Sequence, residues 1–556
     1  MSIKVTVKTN LNRNTYNCEV EEGTSLDGLL NEYRSELPYR VLIARVDNTE
    51  QELSYTITRP CTVEYLDMRT PMAKMVYQRS LTLIYLKAIW DVLGKDTETM
   101  IYYSISKGLY TEIHDERASD DGIITQIEKR MWEIVDEDRP ITRVVVNKPD
   151  AIELLNKYGW GEKGELLEYA DDVHYIAFYE LDGYRNYFYG HMVPSTRYID
   201  KLDLQRYKEG IILRYPHPND PNSLPDYYED SKLYETFTES MNLGRTLGVS
   251  YIKDLNMVIQ EDNYKRLIEL SEGLHTQRIK NIAGMVNNMG KRIVLIAGPS
   301  SSGKTTFAKR LSLELKLLGH TPLYMGTDDY FVNRIDTPLD ENGEYDYENL
   351  DAMDVALFNN NINELLAGEV ADLPTYDFLT GEKVFGKRPT KLEPSQVIVI
   401  EGIHALNSEM SKYIDDDEKF KIYISPLTQL NMDDHNRIHI TDVRLLRRMI
   451  RDNRTRGNSV KDTINLWPKV RRGEDKNIFP YNGEADVLFN SAHLYELAVL
   501  KNHAEPLLKE VTQKDTEYAD AIRLLDFLSF FRPIPDEATI PSDSLLREFI
   551  GGSSVV

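Results

Sequence analysis

Five consecutive apolar residues, Ile293-Val294-Leu295-Ile296-Ala297, run straight into Gly298-Pro299-Ser300-Ser301-Ser302-Gly303-Lys304-Thr305. A helical pattern with Phe307, Leu311, Leu315 and Leu318 on one face follows. A strand without polar alternation is buried on both faces, as in a parallel sheet. The loop fits G-x-x-x-x-G-K-[ST] at every fixed position. Gly298 and Gly303 let the backbone wrap a phosphate chain where a Cβ would clash. The amides of Ser300, Ser301, Ser302 and Thr306, with the helix N-terminus behind them, form an anion cradle. Lys304 is expected to reach the outer phosphates and the Thr305 hydroxyl to ligate Mg²⁺. The expected ligand is a nucleotide with Mg²⁺.

Around this unit the pattern alternates. Gly319 stops the helix and Pro322 follows it. Strand-like runs recur at Leu323 to Met325, Val397 to Ile400 and Phe420 to Ile424. They predict an α/β domain with a doubly wound parallel sheet over residues 289–500. Before it, Leu267, Leu270, Leu274 and Ile282 recur on one face of a helix from about Asn263 to Val286, read as a connector within 226–288. The run Tyr215-Pro216-His217-Pro218-Asn219-Asp220-Pro221 marks a boundary. At the start, strands at 3–8, Tyr16 to Val20, Val41 to Ala44 and Cys61 to Tyr65 surround a helix from Ser25 to Tyr33 capped by Ser25. This is a β-grasp-like unit over 1–67. Residues 68–225 mix strands with helices at Val76 to Leu93 and Ile124 to Val135 and read as α+β, and 501–556 as a helical extension.

The net charge of −24 argues against gripping nucleic-acid backbone over a wide surface. Cys18 and Cys61 are too few for a disulfide framework. No window approaches eighteen uninterrupted apolar residues, and the first residues alternate like a strand, so a cytoplasmic protein without a membrane span is expected.

A phosphate loop specifies a nucleotide, whereas a kinase must also hold an acceptor. Asp328-Asp329-Tyr330-Phe331 follows the second strand, at the carboxyl edge where ligands bind in open sheets. Asp328 is the candidate base for an attacking hydroxyl, against the plainer reading of an Asp pair capping a turn. Glu401-Gly402 ends the strand Val397 to Ile400, where a metal-organising carboxylate belongs. Arg444, Arg447, Arg448 and Arg451, at three- and four-residue spacing, are expected on one helix face. So positive a face in so acidic a chain suits polyphosphate, with a solvated surface as the plain alternative.

Taken in order, these residues resemble the uridine kinase family, with phosphoribulokinase as a more distant relative. The resemblance covers about residues 290 to 495. It rests on Gly298 to Thr305, Thr327 to Phe331, Leu373-Pro374-Thr375-Tyr376-Asp377-Phe378, Ile400 to Ile403 and Arg444 to Asp452. It implies ATP-dependent phosphorylation of a nucleoside, uridine- or cytidine-like, at its 5′-hydroxyl. By resemblance Asp328 is the base, Glu401 organises Mg²⁺, and Tyr376 contacts the nucleoside, with Tyr330 counted on the same side. Glu348 or Asp351 holds the ribose hydroxyls, and Arg448, Arg451 and Arg456 match the lid arginines that close over the phosphates. Thr380-Gly381-Glu382 stands where uridine and cytidine kinases carry a base-reading histidine, so the base is left open.

Residues 1–67 resemble a TGS domain. Residues 70–210 resemble the second N-terminal domain of threonyl-tRNA synthetase, on Lys107-Gly108-Leu109-Tyr110 and Gly190-His191-Met192-Val193-Pro194-Ser195-Thr196. Tyr77-Gln78-Arg79-Ser80-Leu81 replaces the first paired histidines of that domain, and Phe188 and Met192 replace its later cysteine and histidine. No editing activity is expected. The implied roles are substrate sensing, contacts in a homo-oligomer, or binding of an RNA or protein partner. The alternative from another class is an ATP-binding regulatory protein whose N-terminal domains bind RNA or a ribosomal partner.

Asn147-Lys148-Pro149-Asp150 mimics the guanine-reading N-K-x-D, but it precedes the phosphate loop and is read as a chance match. His435 and His439, beside Asp433 and Asp434, have metal-ligand spacing, yet the polar stretch Asn431 to Thr441 is expected to be a surface loop. Phe527, Phe530 and Phe531 are expected to pack a helix on the core. Ser542 or Asp543 is expected to cap a last helix.

Overall fold

Ile293–Ala297, buried at every residue, is the middle strand of a five-stranded sheet. The order is Leu323–Gly326, Ile398–Glu401, Ile293–Ala297, Lys419–Ser425, Val487–Asn490. The computed structural model describes residues 2–9, 14–170, 173–340, 343–377, 379–393 and 396–556. Phe378, which closes the motif from Leu373, lies outside the described residues.

All pairings in this sheet are parallel, so each connection crosses over and helices cover both faces. On one face Phe307, Leu311 and Leu315 of Lys304–Leu317 and Ile279 and Ile282 of the connector Tyr264–Met289 share a core with Val294 and Ile296. On the other, Phe358, Ile362 and Leu365 of Val355–Leu366 meet Ile293 and Leu295. Leu318, expected on the buried face, is 46% exposed because the helix ends one residue earlier. The connector buries Leu267, Ile268, His275, Ile279 and Ile282, and leaves Leu270 and Leu274 half-buried. The edge strand Val487–Asn490 is too short to show a period in the sequence.

In the N-terminal part Ser2–Thr9 alternates exposed and inward residues. It pairs parallel with Cys61–Asp67 and antiparallel with Asn14–Glu21 in a second five-stranded sheet that also holds Val41–Val46 and Thr49–Gln51. Ser25 caps Leu26–Leu30 by accepting the Gly28 amide at 3.0 Å. The helix Pro71–Leu93 then shares one core with a four-stranded antiparallel sheet through Ile101, Leu109 and Ile211, and with a three-stranded one through Tyr179 and Leu181. Asn147 accepts the Asp150 amide at 3.0 Å, so the N-K-x-D run is the cap of Lys148–Lys157.

The stretch Asn431 to Thr441 is not a surface loop. Lys163 and Asp433, 2% and 3% exposed, pair at 3.2 Å, and Lys163 also reaches Asn186 and the His435 ring. The Ile101 amide donates to the Asp434 carbonyl at 2.8 Å, and Asn431 returns a bond to the Ile101 carbonyl at 3.0 Å. A polar segment can be wedged between apolar cores when its polar groups find such partners. The helices Glu496–Leu508 and Tyr518–Ser529 close over Ile440–Arg456, with Phe530 and Phe531 buried. Before the final turn Arg547–Ile550, Ser544 rather than Ser542 or Asp543 accepts the Leu546 amide, at 3.2 Å. No helix among the described residues is long and apolar enough to cross a membrane.

Candidate functional site

The phosphate loop starts where two strands nearly touch. A Cβ on Gly298 would run into the Ile424 carbonyl, so the loop can begin there only with glycine. Ser301 (φ +61°) and Gly303 (φ +87°) take left-handed backbone. Ser301 and Ser302 are buried, and among the described residues their hydroxyls have no hydrogen-bond partner. Orphaned hydroxyls in such a cradle fit a phosphate chain. Lys304 curls back to donate to the carbonyls of Gly298 (3.0 Å) and Pro299 (3.3 Å).

Thr305 Oγ1 donates to Glu401 Oε1 at 3.1 Å, and the Tyr324 hydroxyl donates to the same oxygen at 3.0 Å. Burial pushes the Glu401 carboxyl up, with Lys304 pulling it back and Asp328 adding to the rise. A hydroxyl and a carboxylate converging beside the cradle suit a hard divalent cation such as Mg²⁺. Gly402 has its own reason: a Cβ there would strike Thr327, so glycine lets the turn Thr327–Tyr330 approach the end of the Glu401 strand.

The two aspartates of that turn divide. Asp329 pairs with Arg388 at 2.7 Å and accepts the Tyr376 amide at 3.3 Å, fixing the hairpin Thr375–Asp377/Glu382–Val384. Asp328 stays exposed within reach of the charges of Lys304 and Arg456. It keeps accessible surface, yet the surrounding walls disfavour its charge and push its carboxyl up, against the pull of Lys304 and then Arg456. Its exposure to solvent tempers that rise. Glu348 belongs to the same group. Burial holds its carboxyl up to about 7, Glu474 and Asp328 add to the rise, and Arg448 and Lys304 oppose it. Asp351 sits exposed on the turn Leu350–Ala352, its amide bonded to Asn349, so Glu348 is the acid that shares charge with Lys304 and Asp328.

Tyr376 is buried, its ring 5.7 Å from Phe331, which meets Tyr347 at 5.9 Å. Tyr330 is a correction. It is 1% exposed, donates to Asn361 at 3.2 Å and packs edge-on to Phe358, so it belongs to the core beneath the turn. At Thr380-Gly381-Glu382 the chain turns at Gly381 (φ +77°), whose amide returns to the Asp377 carbonyl at 2.7 Å.

The arginines do not form one ligand-facing row. Arg444 and Arg447 are 1% and 0% exposed. Arg444 pairs with buried Glu474 and donates to the Ser300 carbonyl at 3.0 Å. Arg447 grips Glu496 through two bonds, of 2.6 and 2.7 Å, and reaches the Ser301 carbonyl at 3.4 Å. Their work is to brace the loop from behind. Arg448 donates to Ser300 Oγ at 2.8 Å, and Arg448, Arg451 and Arg456 converge on buried Asp452 at 3.3, 2.8 and 3.6 Å. Two loop groups are also taken by acids: the Ser300 amide by Glu474 at 2.9 Å, and the Thr306 hydroxyl by Glu548 at 2.6 Å. Glu474, Glu496 and Glu548 escaped the sequence reading, and Asp452 entered it only as the last residue of the arginine motif. The one local hint is Gly473, where a Cβ would collide with Glu348.

A model described as the Phosphoribulokinase / Uridine kinase family matches residues 293–498. Uridine kinase of Staphylococcus aureus (strain JH9) is 30% identical over 208 residues, covering 37% of this chain and 91% of that relative. Among solved structures, a possible uridine kinase from Bacillus stearothermophilus aligns over 38% of this chain and 97% of its own, at 23% identity and TM-score 0.27. D-glycerate 3-kinase from Cryptococcus neoformans var. grubii aligns over 36% and 87%, at 17% identity and TM-score 0.26.

Proposed function

The chain belongs to the phosphoribulokinase/uridine kinase family, and from that premise we propose that it transfers the γ-phosphoryl of ATP to the 5′-hydroxyl of a nucleoside. The observation that carries this reading is the electrostatic grouping of Lys304, Asp328 and Glu348 around one cleft beside the loop. A protein that only binds nucleotide has no need of paired acids facing its phosphate lysine.

In this reading Asp328 accepts the hydroxyl proton as the nucleophile attacks. Its raised carboxyl makes it a better proton acceptor than an ordinary aspartate. Glu348 takes hydrogen bonds from the sugar hydroxyls. Lys304 leaves the Gly298 and Pro299 carbonyls for the outer phosphates, and Arg448, Arg451 and Arg456 balance charge spreading over the transferred group. Thr305 and Glu401 would hold Mg²⁺, which neutralises phosphate charge when bound. Tyr376 and the Phe331 ring line the acceptor end.

Purified full chain is to be incubated with ATP and a panel of nucleosides, with products identified by mass. A nucleoside monophosphate is the expected product. Asp328→Asn should lower kcat about 10²- to 10⁴-fold while ATP binding changes little. Turnover of no nucleoside, or wild-type turnover in that variant, removes this reading.

A further inference from the structure

A second cavity, of about 730 Å³, lies away from the phosphate loop, where the N-terminal part, the stretch Asn431 to Thr441 and the helix Tyr518–Ser529 meet. Its wall is largely apolar and aromatic, including Met75, Leu109, Phe188 and Phe530. Into it come two guanidinium groups that form no ion pair among the described residues. Arg437 makes no ion pair or side-chain hydrogen bond among the described residues. Arg79 has no carboxylate within 4.0 Å, and its contacts are the His191 carbonyl at 3.5 Å and Met75 sulfur at 4.0 Å. Arg523, also on the wall, is satisfied by Asp442 through bonds of 2.7 and 2.9 Å.

Glu50 and Asp442 act on Arg79, and Asp442 on Arg437, without coming within ion-pair distance of either arginine. Burial pushes Glu50 and Asp526 up toward their neutral forms. The positive field is felt at His439, at the start of Ile440–Arg456: burial, then Arg437, Arg79, Arg523 and Lys74, hold its imidazole well below the usual range. Unpaired guanidinium groups in a partly enclosed apolar space are costly unless an anion joins them.

We propose that this cavity binds a small organic anion, a phosphate ester or carboxylate on an aromatic or apolar body, with Arg79 and Arg437 holding the anionic group. Two planar donor forks suit either oxoanion, and the aromatic wall suits the body. The occupant lies against the start of the helix whose far half carries Arg448, Arg451 and Arg456. This site does not depend on the phosphotransfer reading.

Calorimetric titration of the full chain with phenyl phosphate, benzoate and benzyl alcohol tests it. At least one anion should bind more tightly than the alcohol, and the tighter anion identifies the preferred head group. Arg79→Met and Arg437→Met should each weaken that binding about tenfold or more. The arginines lie on separate segments, so one variant decides if the other fails to fold, and Arg437→Lys offers a gentler change. Absence of anion binding at millimolar concentration, equal binding of benzyl alcohol, or wild-type affinity in the folded arginine variants would overturn the proposal.

Discussion

Glu348 shows how one side chain sets a pH response. Its carboxyl is held up to about 7, mainly by burial, so in the free protein it is largely protonated below that pH. The ionised form offers both oxygens as charged acceptors to the sugar hydroxyls, and these bonds are the stronger ones. We therefore expect kcat/KM for the acceptor to rise as pH passes through about 7. Glu348→Gln should remove that inflection and lower the plateau, and a profile unchanged by the substitution would exclude Glu348 from acceptor binding. Glu548 acts at the donor end. Its carboxylate holds the Thr306 hydroxyl and lies near the Thr306 amide, at 2.6 and 3.4 Å, where it repels an incoming phosphate. Glu548→Gln should lower the KM for ATP by about three- to tenfold, the scale of one charge interaction at a helix N-terminus. An unchanged or raised KM would show that this acid does not compete with ATP.

At the scale of elements, the helix Ile440–Arg456 has two duties set by its two sides. Arg444 and Arg447 face inward and brace the phosphate loop, while Arg448, Arg451 and Arg456 gather on Asp452. Spacing alone groups four of them on one face. What separates them is the acid each one meets, and Glu474 and Glu496 come from later helices. Arg447→Met would strand Glu496 in the interior and should reduce unfolding free energy by about 3–5 kcal/mol in urea titrations. Adding Glu496→Met should recover much of the loss. A single-variant loss below about 1 kcal/mol would mean that the pair behaves like an exposed one.

For the whole molecule, the joint between the N-terminal part and the parallel-sheet part is a buried polar network rather than a linker. Lys163, Asn186, Asp433 and His435 form its centre, and Tyr251 adds a bond to Asp434 at 2.6 Å. Lys163→Met leaves Asp433 buried without its cation and should cost about 3–5 kcal/mol. It should also broaden or split the thermal unfolding transition, read by calorimetry, as the two parts lose their coupling. A single sharp transition at the wild-type temperature would show that the network does not hold them together. The sequence alone determined the buried strand Ile293–Ala297, the loop, the helix behind it and the strand runs from Leu323, Val397 and Phe420, because glycine freedom and apolar period act within a few residues, whereas the order of those strands in the sheet came from the fold. It also marked Asp328, Glu401 and the arginine cluster as candidates. Only the tertiary structure decided that Asp329 is taken by Arg388, that Tyr330 belongs to the core, and that Arg444 and Arg447 serve the loop from behind. It also turned the stretch Asn431 to Thr441 from an expected surface loop into the wall of a cavity. Those outcomes depend on partners such as Arg388, Glu474 and Lys163 that are remote in the chain, and burial and pairing between remote groups leave no local period to read.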